Sequence, residues 1–85
     1  MKSFQYVIQD PVGIHARPAG LLSAKAKEFD SVVKIAAGGR ESEVTKLMAV
    51  MAMGITCGQE ITIIAEGPDE EEAITELEKF VRENL

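Results

Sequence analysis

The sequence holds one cysteine, Cys57, and one histidine, His15, far apart along 85 residues. A single cysteine excludes an internal disulfide, and one histidine with one distant cysteine gives no metal-ligand spacing. A disulfide scaffold, a structural zinc and any metal site are therefore not expected, and nothing in the chain asks for a cofactor. Long apolar runs are also missing. Each is broken by glycine, threonine or charge well short of the ~20 residues that a spanning helix requires, so no membrane association is expected. The N-terminus lacks the continuous apolar core of an export signal, because Met1-Lys2-Ser3 leads into the alternating Phe4-Gln5-Tyr6-Val7-Ile8. A cytoplasmic location is the expectation. Basic charge is scarce, with nine Lys and Arg against 14 Asp and Glu. That deficit excludes nucleic acid as the main partner, since neutralising phosphates needs an excess of cations.

The charge that is present is unevenly placed. Residues 1–47 carry seven basic and five acidic side chains, and residues 48–85 carry two and nine. The half containing His15 is locally basic. No repeat or linker divides the chain, so a single domain over residues 1–85 is expected.

Periodicity predicts the elements. Residues 2–8 alternate as a strand with Phe4, Tyr6 and Ile8 on one face. Turn residues Asp10 to Gly13 lead into a helix from about residue 16, whose Ala19, Leu22, Ala26 and Phe29 form an apolar stripe. Val32 to Ala37 and Arg40 to Val44 are strands joined by a Gly38-Gly39 hairpin. Leu47 to Met53 forms a short helix opened by Thr45 or Lys46, with the Thr45 hydroxyl as its expected cap, and closed by Gly54. Ile61 to Ala65 is the fourth strand. In the last helix Asp69 and Glu72 have capping-box spacing, Glu70 and Glu71 complement the start and Lys79 and Arg82 the end, and Ala73, Ile74, Leu77 and Val81 are the buried stripe. The order β-α-β-β-α-β-α fits an α+β fold: a four-stranded antiparallel sheet with three helices on one face.

Chemistry concentrates in Gly13-Ile14-His15-Ala16-Arg17-Pro18-Ala19. A helix start presents backbone N–H groups without internal acceptors and a partial positive charge, and so favours an anion. Arg17 adds a permanent cation two residues from His15, and Pro18 is tolerated in the first turn. A neutral imidazole is a competent nucleophile, and the phosphoramidate it forms would lie beside these donors. Their attraction is moderate, roughly 0.3–1 kcal/mol from the dipole and roughly 1.5–3 from each charge-assisted hydrogen bond. Such a well holds a phosphoryl group without trapping it.

This segment, the Ala26-Lys27-Glu28-Phe29 helix end, Met48 to Met51, Met53-Gly54-Ile55 and Ile61-Thr62-Ile63 make the chain resemble the HPr family. These are the histidine-containing phosphocarriers of the phosphoenolpyruvate-dependent sugar phosphotransferase system. The resemblance implies an open-faced β-sandwich, phosphorylation of His15 at Nδ1 with Arg17 as its charge-stabilising neighbour, and transfer from enzyme I to sugar-specific IIA components. A carrier of this kind is not an autonomous enzyme. Many members carry a regulatory serine at the start of the short helix, phosphorylated by an ATP-dependent HPr kinase. Lys46 stands there, so no regulatory phosphosite is expected.

The short helix is apolar on every side, more than so small a domain can bury. Val50 is expected inside, leaving Leu47, Met48 and Met51 as an adaptable patch for a partner. Pro18, Gly20, Ala24 and Lys27 on the first helix would continue that surface. Arg17, Lys27 and Lys46 would ring it with positive charge suited to an acidic rim. Lys25 and Lys34 are read as solvated charges, Cys57 as a plain loop cysteine, and the protein as a monomer.

Overall fold

The computed structural model describes residues 1–85. Seven elements follow in order: β1 (Lys2–Val7), α1 (Ala16–Ala26), β2 (Val32–Ala37), β3 (Arg40–Glu43), α2 (Leu47–Ala52), β4 (Glu60–Glu66) and α3 (Glu70–Asn84). The sheet runs β1-β4-β2-β3 with every neighbour antiparallel. Phe4, Ile63 and Ile35 stand in one cross-strand row. The side-chain period of two then puts Val33, Ile35, Ile61, Ile63 and Ala65 on the buried face. Lys34 and Val32 face outward and are exposed. One cluster of 17 buried residues joins that face to Leu22 and Ala26 of α1, Val50 of α2 and Ala73, Leu77 and Val81 of α3. The layers are therefore a sheet and three helices on one side of it, as expected.

Element ends depart from the sequence reading in instructive ways. Gly38 and Gly39 take φ of 56° and 80°, the two positive values that a tight hairpin needs. Helix α1 stops at Ala26, so Phe29 sits in the following turn, yet still packs against the core. Ile8 and Val44 lie just past their strands but are buried.

Two capping expectations are corrected. Asp69 is the N-cap of α3, but its side chain caps nothing. Its carboxylate instead accepts the Ser31 hydroxyl and the backbone N–H groups of Asp30 and Ser31, the latter two at 2.9 Å each. The Ser31 hydroxyl, then the Asp30 and Ser31 N–H groups, hold the Asp69 carboxyl below the usual carboxylate range despite partial desolvation. Glu70 takes over at the helix start, accepting the Gly67 N–H at 3.1 Å and pairing with the Met1 amine at 2.6 Å. That amine is the main reason its carboxyl is also lowered. At α2 the N-cap is Lys46, without a side-chain bond. The Thr45 hydroxyl makes no hydrogen bond, and its carbonyl instead accepts Ser23 Oγ at 3.4 Å, tying α2 to α1.

Candidate functional site

His15 is the N-cap of α1, with extended backbone (φ −113°, ψ −172°) and no side-chain cap bond. Its carbonyl accepts the Ala19 N–H at 3.0 Å. The imidazole therefore has no structural duty, and is half-buried rather than enclosed. Pro18 has no N–H, and those of Ala16 and Arg17 have no backbone acceptor. Two donors and the positive end of an 11-residue helix thus lie in the two residues that follow His15. The Arg17 side chain is exposed and forms neither an ion pair nor a hydrogen bond within the chain. A nucleophile, unengaged donors and an unpaired cation meet at one place, which is what a phosphoryl acceptor requires.

The loop carrying His15 is seated on the exit of α2. Gly54, at φ 63°, turns the chain out of α2, and the Ile55 carbonyl accepts the Ile14 N–H at 3.0 Å. Gly13 takes φ 78°, and a Cβ there would meet the Ile55 and Thr56 backbone, with Thr56 Cα at 2.8 Å. Only glycine permits that approach without displacement. On the other side, the backbone oxygen of Leu85 accepts the Gln9 and Asp10 N–H groups at 2.7 and 2.8 Å. No local pattern announces this joint, since buried Leu85 lies one residue beyond α3.

His15, Arg17 and Pro18 line an open hollow of about 230 Å³ together with Asp10, Leu21 and Asn84. Asp10 and Asn84 were not singled out from the sequence. Asp10 looked like turn chemistry alone, and Asn84 is brought in only by the fold. Pro18 is buried, so it shapes the hollow instead of offering a contact surface. A larger depression of about 560 Å³ lies where β2, β3 and the start of α2 meet. Its charges are already paired as Lys34–Glu41 and Lys46–Glu43. No group of three or more side chains suited to holding a metal gathers anywhere.

The apolar patch emerges where the short helix was expected to leave it. Val50 is 2% exposed, whereas Met48 is 76% exposed and Leu47 and Met51 are 36% each. Helix α1 extends the surface with exposed Leu21 and Ala24, half-buried Gly20 and its exposed C-cap Lys27. Three charges differ from expectation. Lys46 pairs with Glu43 at 3.3 Å rather than standing free at the rim. Lys25 is no solvated charge, since it reaches both Glu28 and Glu76 at 3.5 Å and so links α1 to α3. Lys34 likewise pairs with Glu41 at 3.6 Å. Cys57 is exposed, its thiol 3.8 Å from the Gln9 carbonyl.

Comparison with known proteins agrees with this geometry. A family model described as the PTS HPr component phosphorylation site matches residues 2–83. The phosphocarrier protein HPr of Mycoplasma genitalium is 45% identical over 85 residues, covering 99% of this chain and 97% of that protein. The solved structure of a mycoplasma histidine-containing phosphocarrier protein superposes with a TM-score of 0.93 at 39% identity, covering 96% of this chain and 93% of that one. Crh of Bacillus subtilis, described as a swapped, intertwined dimer, gives a TM-score of 0.78 at 32% identity over 100% of this chain and 98% of its own. A match over nearly the whole sequence, together with a histidine, free N–H donors and an unpaired arginine at one helix start, places the chain in the HPr family, the phosphocarriers of the phosphotransferase system.

Proposed function

We propose that His15 accepts a phosphoryl group at Nδ1 from phosphorylated enzyme I and passes it to sugar-specific IIA components in the cytoplasm. The observation that carries this reading is the pairing of an imidazole free of structural hydrogen bonds with an Arg17 guanidinium that has no partner in the chain. In the transfer, the imidazole nitrogen forms a bond to phosphorus as the bond to the donor breaks. The Ala16 and Arg17 N–H groups and the guanidinium receive the charge carried by the phosphoryl oxygens. The chain contributes positioning and charge neutralisation, and the proteins it docks with supply the remainder of the site.

Docking is assigned to Leu47, Met48 and Met51 on α2 and to Gly20, Leu21 and Ala24 on α1 with its C-cap Lys27. Flexible thioethers around an apolar centre can repack against different partners, as a carrier that meets both donor and acceptors needs. Arg17 and Lys27 supply positive charge at the rim, with Lys46 contributing less because Glu43 neutralises it. The hollow and this surface are complete in one chain, so the working unit is a monomer. Lys46 removes the serine at which an HPr kinase acts, and this carrier has one phosphorylation site.

The test is a relay. Labelled phosphoenolpyruvate and enzyme I should load the chain, and an added IIA component should then draw the label off. Label that enters but cannot be passed on would contradict a carrier, and no label from an active enzyme I would overturn the reading altogether.

A further inference from the structure

We propose that Asp10 tunes the phosphoryl reaction as a fixed negative charge that keeps the phosphohistidine well shallow and so favours onward transfer. This rests on His15 being the phosphoryl acceptor. The lining of the hollow contains one cation, Arg17, and one carboxylate, Asp10, along with His15, Pro18, Leu21 and Asn84. Its fixed charges cancel before any phosphoryl group arrives. A site built to hold phosphate would keep only the cation.

Asp10 is also held in place by its own turn. Its Oδ1 accepts the Val12 N–H at 2.9 Å, its carbonyl accepts the Gly13 N–H at 2.9 Å, and its N–H donates to Leu85 at 2.8 Å. It forms no ion pair with Arg17. Its charge is therefore not taken up in an ion pair and acts on whatever binds at His15. A dianionic phosphoryl group on the imidazole is attracted by Arg17 and the two free N–H groups and repelled by Asp10. When the group leaves, the N–P bond breaks, its electron pair returns to the imidazole nitrogen, and phosphorus bonds to the acceptor nucleophile. That step lifts the repulsion, so Asp10 destabilises the loaded state relative to the product.

Asparagine at this position keeps the side-chain oxygen that holds the turn and removes only the charge. Wild type, Asp10→Asn and Glu66→Gln are each equilibrated with enzyme I, phosphoenolpyruvate and pyruvate, and the loaded fraction is read by phosphorus NMR. The Glu66 exchange removes one exposed charge from the opposite end of β4, about 20 Å of strand away. We expect the loading equilibrium of Asp10→Asn to shift about three- to tenfold toward the phosphorylated form. Its phosphohistidine should hydrolyse correspondingly more slowly, with Glu66→Gln unchanged. A merely structural role for Asp10 would lower the urea midpoint and leave the equilibrium in place. An unshifted Asp10→Asn, or an equal shift in Glu66→Gln, would overturn the inference. Failure of wild type to load at all would instead overturn the assignment of His15.

Discussion

Replacing Gly13 by alanine separates two effects that the loop geometry combines. Alanine at φ 78° occupies a left-handed conformation that costs about 1–2 kcal/mol. The added Cβ also runs into the Ile55 and Thr56 backbone, which cannot rotate away as a side chain would, and overpacking of this kind costs about 1–3 kcal/mol. Stiffening of the unfolded chain gives back about 0.4–1 kcal/mol. The net loss is about 1–4.6 kcal/mol, a large part of the roughly 4–13 kcal/mol that a chain of this length possesses. Gly39→Ala is the matched control, with φ 80° and nothing within 4 Å of its Cβ. It should lose only about 1 kcal/mol, the conformational part alone. Urea unfolding of both variants reads the difference as a midpoint shift at constant slope. Gly13→Ala should also load phosphoryl more slowly than its folded fraction explains, because the same loop carries His15. Equal midpoints for the two variants would refute the close-approach argument.

Gly20 lies inside α1 with open space around its Cβ, so Gly20→Ala should raise stability by about 0.5–1 kcal/mol while weakening association with enzyme I in titration calorimetry. A gain in stability with unaltered affinity would remove Gly20 from the docking surface. Because the Asp69 carboxyl is lowered in the folded protein, its contribution is fully present above the ordinary carboxylate value of about 4 and is lost as pH falls below it. Asp69→Asn should therefore be less stable than wild type at neutral pH and show a flatter decline of the urea midpoint below about pH 4; parallel pH curves would contradict the assigned shift. HPr kinase with ATP should leave wild type unlabelled and label Lys46→Ser, whereas stoichiometric labelling of Thr45 in wild type would show that the serine switch had moved by one residue.

The elements of this fold were legible where a local rule decides. Alternating Ile61 and Ile63, the stripe of Ala73, Leu77 and Val81, and the paired glycines of the hairpin each state their own geometry. The rule failed where a side chain had a better tertiary partner than a local one. Asp69 has capping-box spacing, but the Asp30 and Ser31 N–H groups and the Ser31 hydroxyl offer its carboxylate three donors, against the one or two of its own helix. Thr45 has the chemistry of a cap, yet the helix begins one residue later. At the site, His15 and Arg17 were visible because a helix start, an imidazole and a cation adjoin in sequence. Asp10 and Asn84 were not, because the docking of Leu85 against Gln9 and Asp10 brings them together and no spacing encodes it.

In the proposed function one imidazole carries the phosphoryl group. Its most direct test is phosphorus NMR of the chain and of His15→Ala after incubation with phosphoenolpyruvate and active enzyme I. Wild type should give one acid-labile phosphoramidate resonance, assigned to Nδ1 and absent from the variant. A resonance that survives in His15→Ala, or no resonance in wild type, would contradict it.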